Sequence, residues 1–255
     1  MKPLWPRSLP LRHKTEGGSG HFIRDRASSE TDRAGSGSVV AGGFHEHGSA
    51  LVRLGGSHLG VVRQVCAFFS SDDEAYRVLV PFIVDGFARG EKAVHVVRPG
   101  QAREHFERLA AAGLDLKAIQ AAGQLELRLN TETYLRDRKF DQNRMLAAFE
   151  RMASGNDSTG FPLSRIVCSM DWVAEVPSAR NDVIEFESRV NDVWQRHDDI
   201  VICVYDLKRM SGDMMIDIMR THPIVLIGDV LQQNPFFVPP DQFLRERRGG
   251  GAAYS

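Results

Sequence analysis

The 255-residue chain has no apolar run long enough to cross a membrane. Runs such as IVICVY (Ile200 to Tyr205) fall far short of the roughly 20 residues a spanning helix needs. Its opening, MKPLWPRSLPLRHK, carries charge and three early prolines but no apolar stretch of the secretory kind, so export is not expected. Charge of one sign is lacking too: 32 Lys+Arg stand against 33 Asp+Glu, a formal net charge of -1, which gives neither nucleic acid nor an anionic membrane an electrostatic handle. Proteins and small molecules are the expected partners. Cysteine is scarce. Cys66, Cys168 and Cys203 form an odd set without a CxxC, each inside an apolar strand-like run, which speaks against a disulfide framework and for reduced, buried thiols in a cytoplasmic protein.

What is present divides the chain. Residues 1–58 are rich in Gly, Ser, Arg and His without helical or strand periodicity, and such a segment buries too little apolar surface to offset its ordering entropy. One domain is expected over 59–247, with a flexible tail over 248–255. Within the domain, VCAFF, AVHVV, LELRL, RIVCSMDW, IVICVYD and IVLIG read as strands. Between them lie the helical segments EAYRVLVPFIVDGFARG, QAREHFERLAAAG, NRMLAAFERMASG, VIEFESRVNDVWQRH and MMIDIMR. Strands alternating with helices of this length predict an α/β three-layer sandwich with a mostly parallel central sheet. In open sheets of this type ligands bind beyond the carboxyl ends of the strands, so the residues just after each strand carry the functional interest.

After the first strand the loop SSDDE has neither glycine nor lysine, and its acids would repel a nucleotide phosphate. Ordinary P-loop ATP hydrolysis is not expected. Asp171 (in MDW) and Asp206 (in VYD) each end a strand, where a carboxylate can hold Mg²⁺, act as acid or base, or simply cap the next helix. Glu187 and Asn191 lie one helical turn apart, either reaching a ligand or forming a structural pair. A thiolate metal site would require the three cysteine strands to be adjacent; without ligand spacing, inert core thiols are the expectation, and no metal or cofactor is assigned.

The stretch IMRTHPIVLIGDVLQQNPFFVPP sets Arg220 and His222 before a strand and Asn234, Phe236 and paired prolines after it. This polar collar is either a rim around a pocket or bracing for a helix end, where cations are favoured. One pocket at the carboxyl edge is expected to draw on Tyr205, Asp206, Asp171 and Gln64, with Arg220, His222, Asn234 and Phe236 as further candidates. The last strand is open to either direction, and its direction decides which half of the collar reaches that edge.

The motifs GGSHLG, VCAFFSS, LVPFIVDGFARGEKAVHVV, GQLEL, TYLRDRKFD, MDWVAE, EFESRVN, ICVYD, RTHPIV and NPFFVPPDQFL follow one another over about residues 55 to 247. In this order they resemble the MEDS family, the sensory domain shared by methanogen and methylotroph regulators. The resemblance implies a non-catalytic domain that senses a small, possibly hydrocarbon-derived molecule or a protein signal. Its output would be a histidine kinase, anti-sigma factor or transcription regulator acting in trans. It also implies kinship with RecA-type and circadian-clock ATPases that keep a phosphate loop this chain has lost. The competing reading is a nucleotide- or metal-binding relative of those ATPases, with Asp171, Glu175 and Asp206 facing the metal. The chain departs from the family at Gln64, where His is usual two residues before Cys66, and at Lys139 beside Arg138, where glycine is usual. Gln64, Cys66, Asp171, Trp172, Glu187, Asn191, Tyr205, Asp206, Arg220, His222 and Asn234 are the ligand-contact candidates.

Overall fold

In the computed structural model, residues 51–154 and 160–250 are described. Within them a seven-stranded sheet is formed by β3 (Gln64–Phe69), β4 (Lys92–Val97), β5 (Leu125–Leu129), β6 (Ser164–Ser169), β7 (Ile200–Asp206), β8 (Ile224–Ile227) and β9 (Val230–Gln233), in the order β5-β4-β6-β7-β3-β8-β9. All neighbouring pairs are parallel except β8 and β9, which form an antiparallel hairpin. A separate hairpin of β1 (Val52–Leu54) and β2 (Ser57–Leu59) precedes the sheet.

The strand sequences explain their places. QVCAFF in β3 is buried at every position, as a strand covered on both faces must be, and it lies inside the sheet between β7 and β8. Alternate residues feed two cores. Val65, Ala67 and Phe69 pack with Val78, Leu79, Phe82 and Ile83 of α1 (Asp72–Ala88) and with Leu109 of α2 (Ala102–Ala111). Cys66 and Phe68 belong to the opposite core, with Met145 and Phe149 of α5 (Gln142–Ser154), Val183 and Phe186 of α7 (Arg180–Arg189), and Ile218 of α9 (Gly212–Thr221). Three layers result, as the alternation of elements predicted. The shorter helices are α3 (Leu116–Ala121), α4 (Asn130–Thr133), α6 (Trp172–Glu175) and α8 (Asn191–Trp194), and α10 (Pro240–Gly250) closes the described chain.

Several elements were not anticipated, the short helices α4 and α6 among them. The β1–β2 hairpin reaches into the segment expected to lack order: Val52 and Leu54 are buried in the α1-side core, and a turn at Gly55, with φ of 59°, joins the strands. Residues 1–50 of that expectation lie outside the described residues, as do 251–255 of the expected tail. Strand β9 went unread because VLQQ is short and polar, and its residues are mostly exposed, as befits an edge. Helix α3 was hidden in a short six-residue run capped by Asp115, and α10 continues past residue 247. The parallel run of β8 resolves the direction left open: Arg220 and His222 begin on the amino edge.

One packing device was invisible in the sequence. Arg165, at the start of β6, is buried and bonds Glu91, the Phe82 carbonyl and Asp85, the last at 2.7 Å. Its guanidinium also lies over the Phe82 ring. Gly86 makes room for it: a Cβ there would sit 2.7 Å from Arg165 Cδ.

Candidate functional site

The connections out of β3 and β4 pass over the α1–α2 face, whereas those out of β6 and β7 pass over the other, so the carboxyl ends of these strands flank a crevice where the winding direction changes. Arg98, directly after β4, spans it. Its guanidinium bonds Asp72 of α1 at 2.5 Å and Asp171, beyond β6, at 3.3 Å. Asp171 Oδ1 in turn accepts the backbone N–H of Asp206, the last residue of β7, at 2.8 Å. Burial raises the Asp171 pKa; the Asp206 N–H and Arg98 oppose that shift without cancelling it. Four strand ends are thereby tied together by one arginine and three acids.

Beneath this mouth is a pocket of about 60 Å³ between α1, α2 and the sheet, lined among others by Leu79, Val96, Val167 and Val204 and by Tyr76, His95 and His105. A buried water needs roughly 10–15 Å³ on the same kind of measure, so the space suits a molecule of only a few heavy atoms. Tyr76, His95 and His105 form a chain in its wall. Tyr76 Oη lies 3.1 Å from His105 Nδ1, and His105 Nε2 lies 2.8 Å from His95 Nδ1. His95 Nε2 is buried and has no hydrogen-bond partner among the described residues. Burial keeps both imidazoles uncharged near neutral pH. It lowers His105 to about 4, and burial followed by the neighbouring His105 holds His95 well below the ordinary histidine value. Two proton orders are available to a neutral chain. If Tyr76 donates, His105 Nε2–H donates onward and His95 Nε2 is left as a donor; if the order reverses, His95 Nε2 is an acceptor.

Phosphate chemistry fares poorly at the β3–α1 turn. The N–H of Ser70 is taken by Glu74 at 2.7 Å and that of Glu74 by Ser71 Oγ at 3.2 Å, so the chain's own side chains occupy donors that a phosphate loop would offer.

The sequence candidates separate into three places. Asp171 lines the pocket and touches Asp206, while Glu175 pairs with Arg209 outside it. On the opposite face Tyr205, Glu187, Cys203 and His222 gather in the core: Tyr205 donates to Glu187 Oε1 at 3.2 Å, Cys203 Sγ lies 3.6 Å from Glu187 Oε2, and His222 Nε2 lies 3.3 Å from it. Cys168, Cys203 and Cys66 stand abreast on the adjacent strands β6, β7 and β3, the arrangement that sequence spacing could not reveal. Gln64 begins β3 at the amino edge and donates to the Glu187 carbonyl, and Cys66 donates to the Ile224 carbonyl at 3.6 Å. The remainder brace the structure. Trp172 stacks on Tyr134, with ring centroids 5.3 Å apart. Asn191 Nδ2 reaches the Thr221 carbonyl at 2.8 Å, and Asn234 Nδ2 reaches the carbonyls of Met219 and His222 at 2.5 and 2.7 Å, closing the end of α9. Arg220 pairs with Glu246 and lies over the Phe243 ring, whereas Phe236 is exposed. The single pocket joining Tyr205, Gln64 and Asp171 therefore does not form: Tyr205 and Phe68 stack in the core on the far side of the sheet from α1, and Gln64 is at the other edge. His95, His105, Tyr76 and Arg98 were missed because AVHVV and QAREHF read as an ordinary strand and helix, and only β4–α1–α2 packing brings them together.

No curated protein matches the chain. Among solved structures it is similar to a KaiC-like protein from the hyperthermophilic archaeon Pyrococcus horikoshii at 15% identity, covering 65% of this chain and 70% of that one, with a TM-score of 0.46. The profile of the methanogen/methylotroph, DcmR sensory domain matches residues 65–223, more than half of the sequence. The chain belongs to this MEDS family of sensory domains.

Proposed function

We propose that this chain is a non-catalytic sensor that takes a molecule of few heavy atoms into the pocket between α1, α2 and the ends of β4 and β6. The unpartnered Nε2 of buried His95 carries this reading. A largely apolar cavity with a few polar side chains in its wall suits the binding and orienting of a small molecule. A small alcohol, aldehyde or halogenated hydrocarbon would fill the space and either accept from or donate to that nitrogen.

Recognition would then reach the surface by the chain of hydrogen bonds. A ligand that demands a donor or an acceptor at His95 fixes the proton order through His105 of α2 to Tyr76 of α1. Tyr76 lies under the guanidinium of Arg108, 4.8 Å from its ring centroid, and Arg108 bonds Asp73 at 2.5 Å. Ligand state would thus alter the α1–α2 surface, where a signalling protein such as a histidine kinase, anti-sigma factor or transcription regulator would read it. The test is thermal melting of the full chain with a panel of one- and two-carbon alcohols, aldehydes and haloalkanes. A binder raises the melting temperature according to RT ln(1 + [L]/Kd), and Ala75→Phe, which fills the pocket from α1, abolishes the rise. A panel without effect, or a rise that survives Ala75→Phe, contradicts this site.

A further inference from the structure

We propose that Glu187 Oε2, Cys203 Sγ and His222 Nε2 form a buried site for one divalent metal ion of borderline softness, zinc by its ligand chemistry. The three atoms lie within 4.8 Å of one another, on α7, β7 and the segment entering β8, and all three residues are buried.

Proton positions argue for a cation first. His222 Nδ1 lies 3.0 Å from the Ile218 carbonyl, which can only accept, and 3.0 Å from Thr221 Oγ1, whose own hydrogen goes to that carbonyl at 2.8 Å, so Nδ1 carries the hydrogen. Nε2 then presents a lone pair toward a carboxylate oxygen 3.3 Å away, and it has no hydrogen-bond partner among the described residues. Two electron-rich atoms held that close in a dry core repel unless a positive charge lies between them.

Spacing argues for a metal rather than a proton. Tetrahedral zinc, with bonds of about 2.0 Å to nitrogen or oxygen and about 2.3 Å to sulfur, sets neighbouring N and O ligands about 3.3 Å apart and S and O ligands about 3.5 Å apart. The observed separations from Glu187 Oε2 are 3.3 Å to His222 Nε2 and 3.6 Å to Cys203 Sγ.

Charge and the outer contacts agree. A carboxylate, a thiolate and a neutral imidazole total two negative charges, which a divalent ion neutralises, the condition for burial in a medium of low dielectric. Binding would release the Cys203 thiol proton and any proton held between Glu187 and His222. Metal-bound histidine commonly donates its second N–H to a backbone carbonyl, as His222 does to Ile218, and a bound carboxylate is itself hydrogen-bonded, as Glu187 Oε1 is by Tyr205. Sulfur and nitrogen donors select zinc or its neighbours over magnesium and calcium.

The site is tested on the full chain, unfolded and refolded with zinc, then dialysed and measured for metal. About one zinc per chain is expected, retained by Cys168→Ser, whose thiol lies outside the triad, and lost from Cys203→Ser. A metal-free wild-type chain overturns the proposal, as does a Cys203→Ser chain that keeps its zinc. Should Cys203→Ser not fold, cobalt(II) bound to the wild-type chain decides: a thiolate-to-cobalt absorption band supports the site, and bound cobalt without that band refutes it.

Discussion

Replacing Arg165 by Met removes a buried cation from three acceptors at once. The Arg165 side chain is 2% exposed and that of Glu91 8%, so their pair is effectively dry, whereas Asp85 is 35% exposed and keeps Arg89 as a second partner at 2.8 Å. The loss therefore falls chiefly on Glu91 and the Phe82 carbonyl. Removing one partner of a buried pair costs about 3–5 kcal/mol, because the other charge stays behind unpaired. For a domain of this size that is a fall in Tm of roughly 6–20 °C. Urea denaturation of wild type, Arg165→Met, Glu91→Gln and the double variant measures the coupling: the double variant should recover more than half of the single loss, since no orphan charge remains. The gap should also narrow in acid. Burial alone raises the Asp85 pKa, but hydrogen bonds from Arg165 and Arg89 outweigh it and leave the group below its ordinary 3.8. Asp85 thus contributes stability that is present above its unfolded value and lost as pH falls through its folded one, and Arg165→Met has less of it to lose. A single loss below about 1 kcal/mol, or strictly additive effects, would refute the reasoning.

Three further outcomes are expected. His105 is lowered from 6.5 to about 4 by burial, so the unfolded chain takes up the extra proton and stability falls as pH drops from about 6.5 toward about 4; His105→Gln should flatten this slope, of at most about 1.4 kcal/mol per pH unit, in urea titrations at stepped pH. Gly86→Ala drives a methyl against the Arg165 side chain and should cost about 1–3 kcal/mol, with little further loss in an Arg165→Ala background, where the atoms it strikes are gone, as thermal melting would show. Asn234→Ala leaves the Met219 and His222 carbonyls without its amide and should destabilise by about 1–3 kcal/mol, while the melting response to a pocket ligand is retained.

The layers were legible because each strand announces itself locally: QVCAFF and IVICVYD are continuous apolar runs, and Ser71 with the acids after it marks the start of α1. Asp171 and Asp206 were legible as strand-end carboxylates, and they do meet. The pocket was not. His95 is one polar residue in a strand and His105 one polar residue on a helix, and their 2.8 Å contact depends on how α2 folds back over β4. Arg165 at a strand start reads as surface charge until Gly86 and Glu91 are seen around it. Strand order was equally out of reach, which is why the cysteines looked independent in the sequence although β6, β7 and β3 set them side by side. The collar around β8 proved to brace a helix end at Asn234 and Arg220 and to supply His222 to the core, two roles that the same residues advertise in the same way.

The central claim, that a small molecule is read through His95, is tested most directly by nitrogen NMR of the full chain with ¹⁵N-labelled histidine imidazoles. The compound from the alcohol, aldehyde and haloalkane panel that raises Tm is added stepwise. The account predicts that the ring nitrogens of His95 and His105 shift together, with His95 Nε2 moving most and His222 unmoved. A stabilising compound that leaves both His95 and His105 unchanged would contradict it.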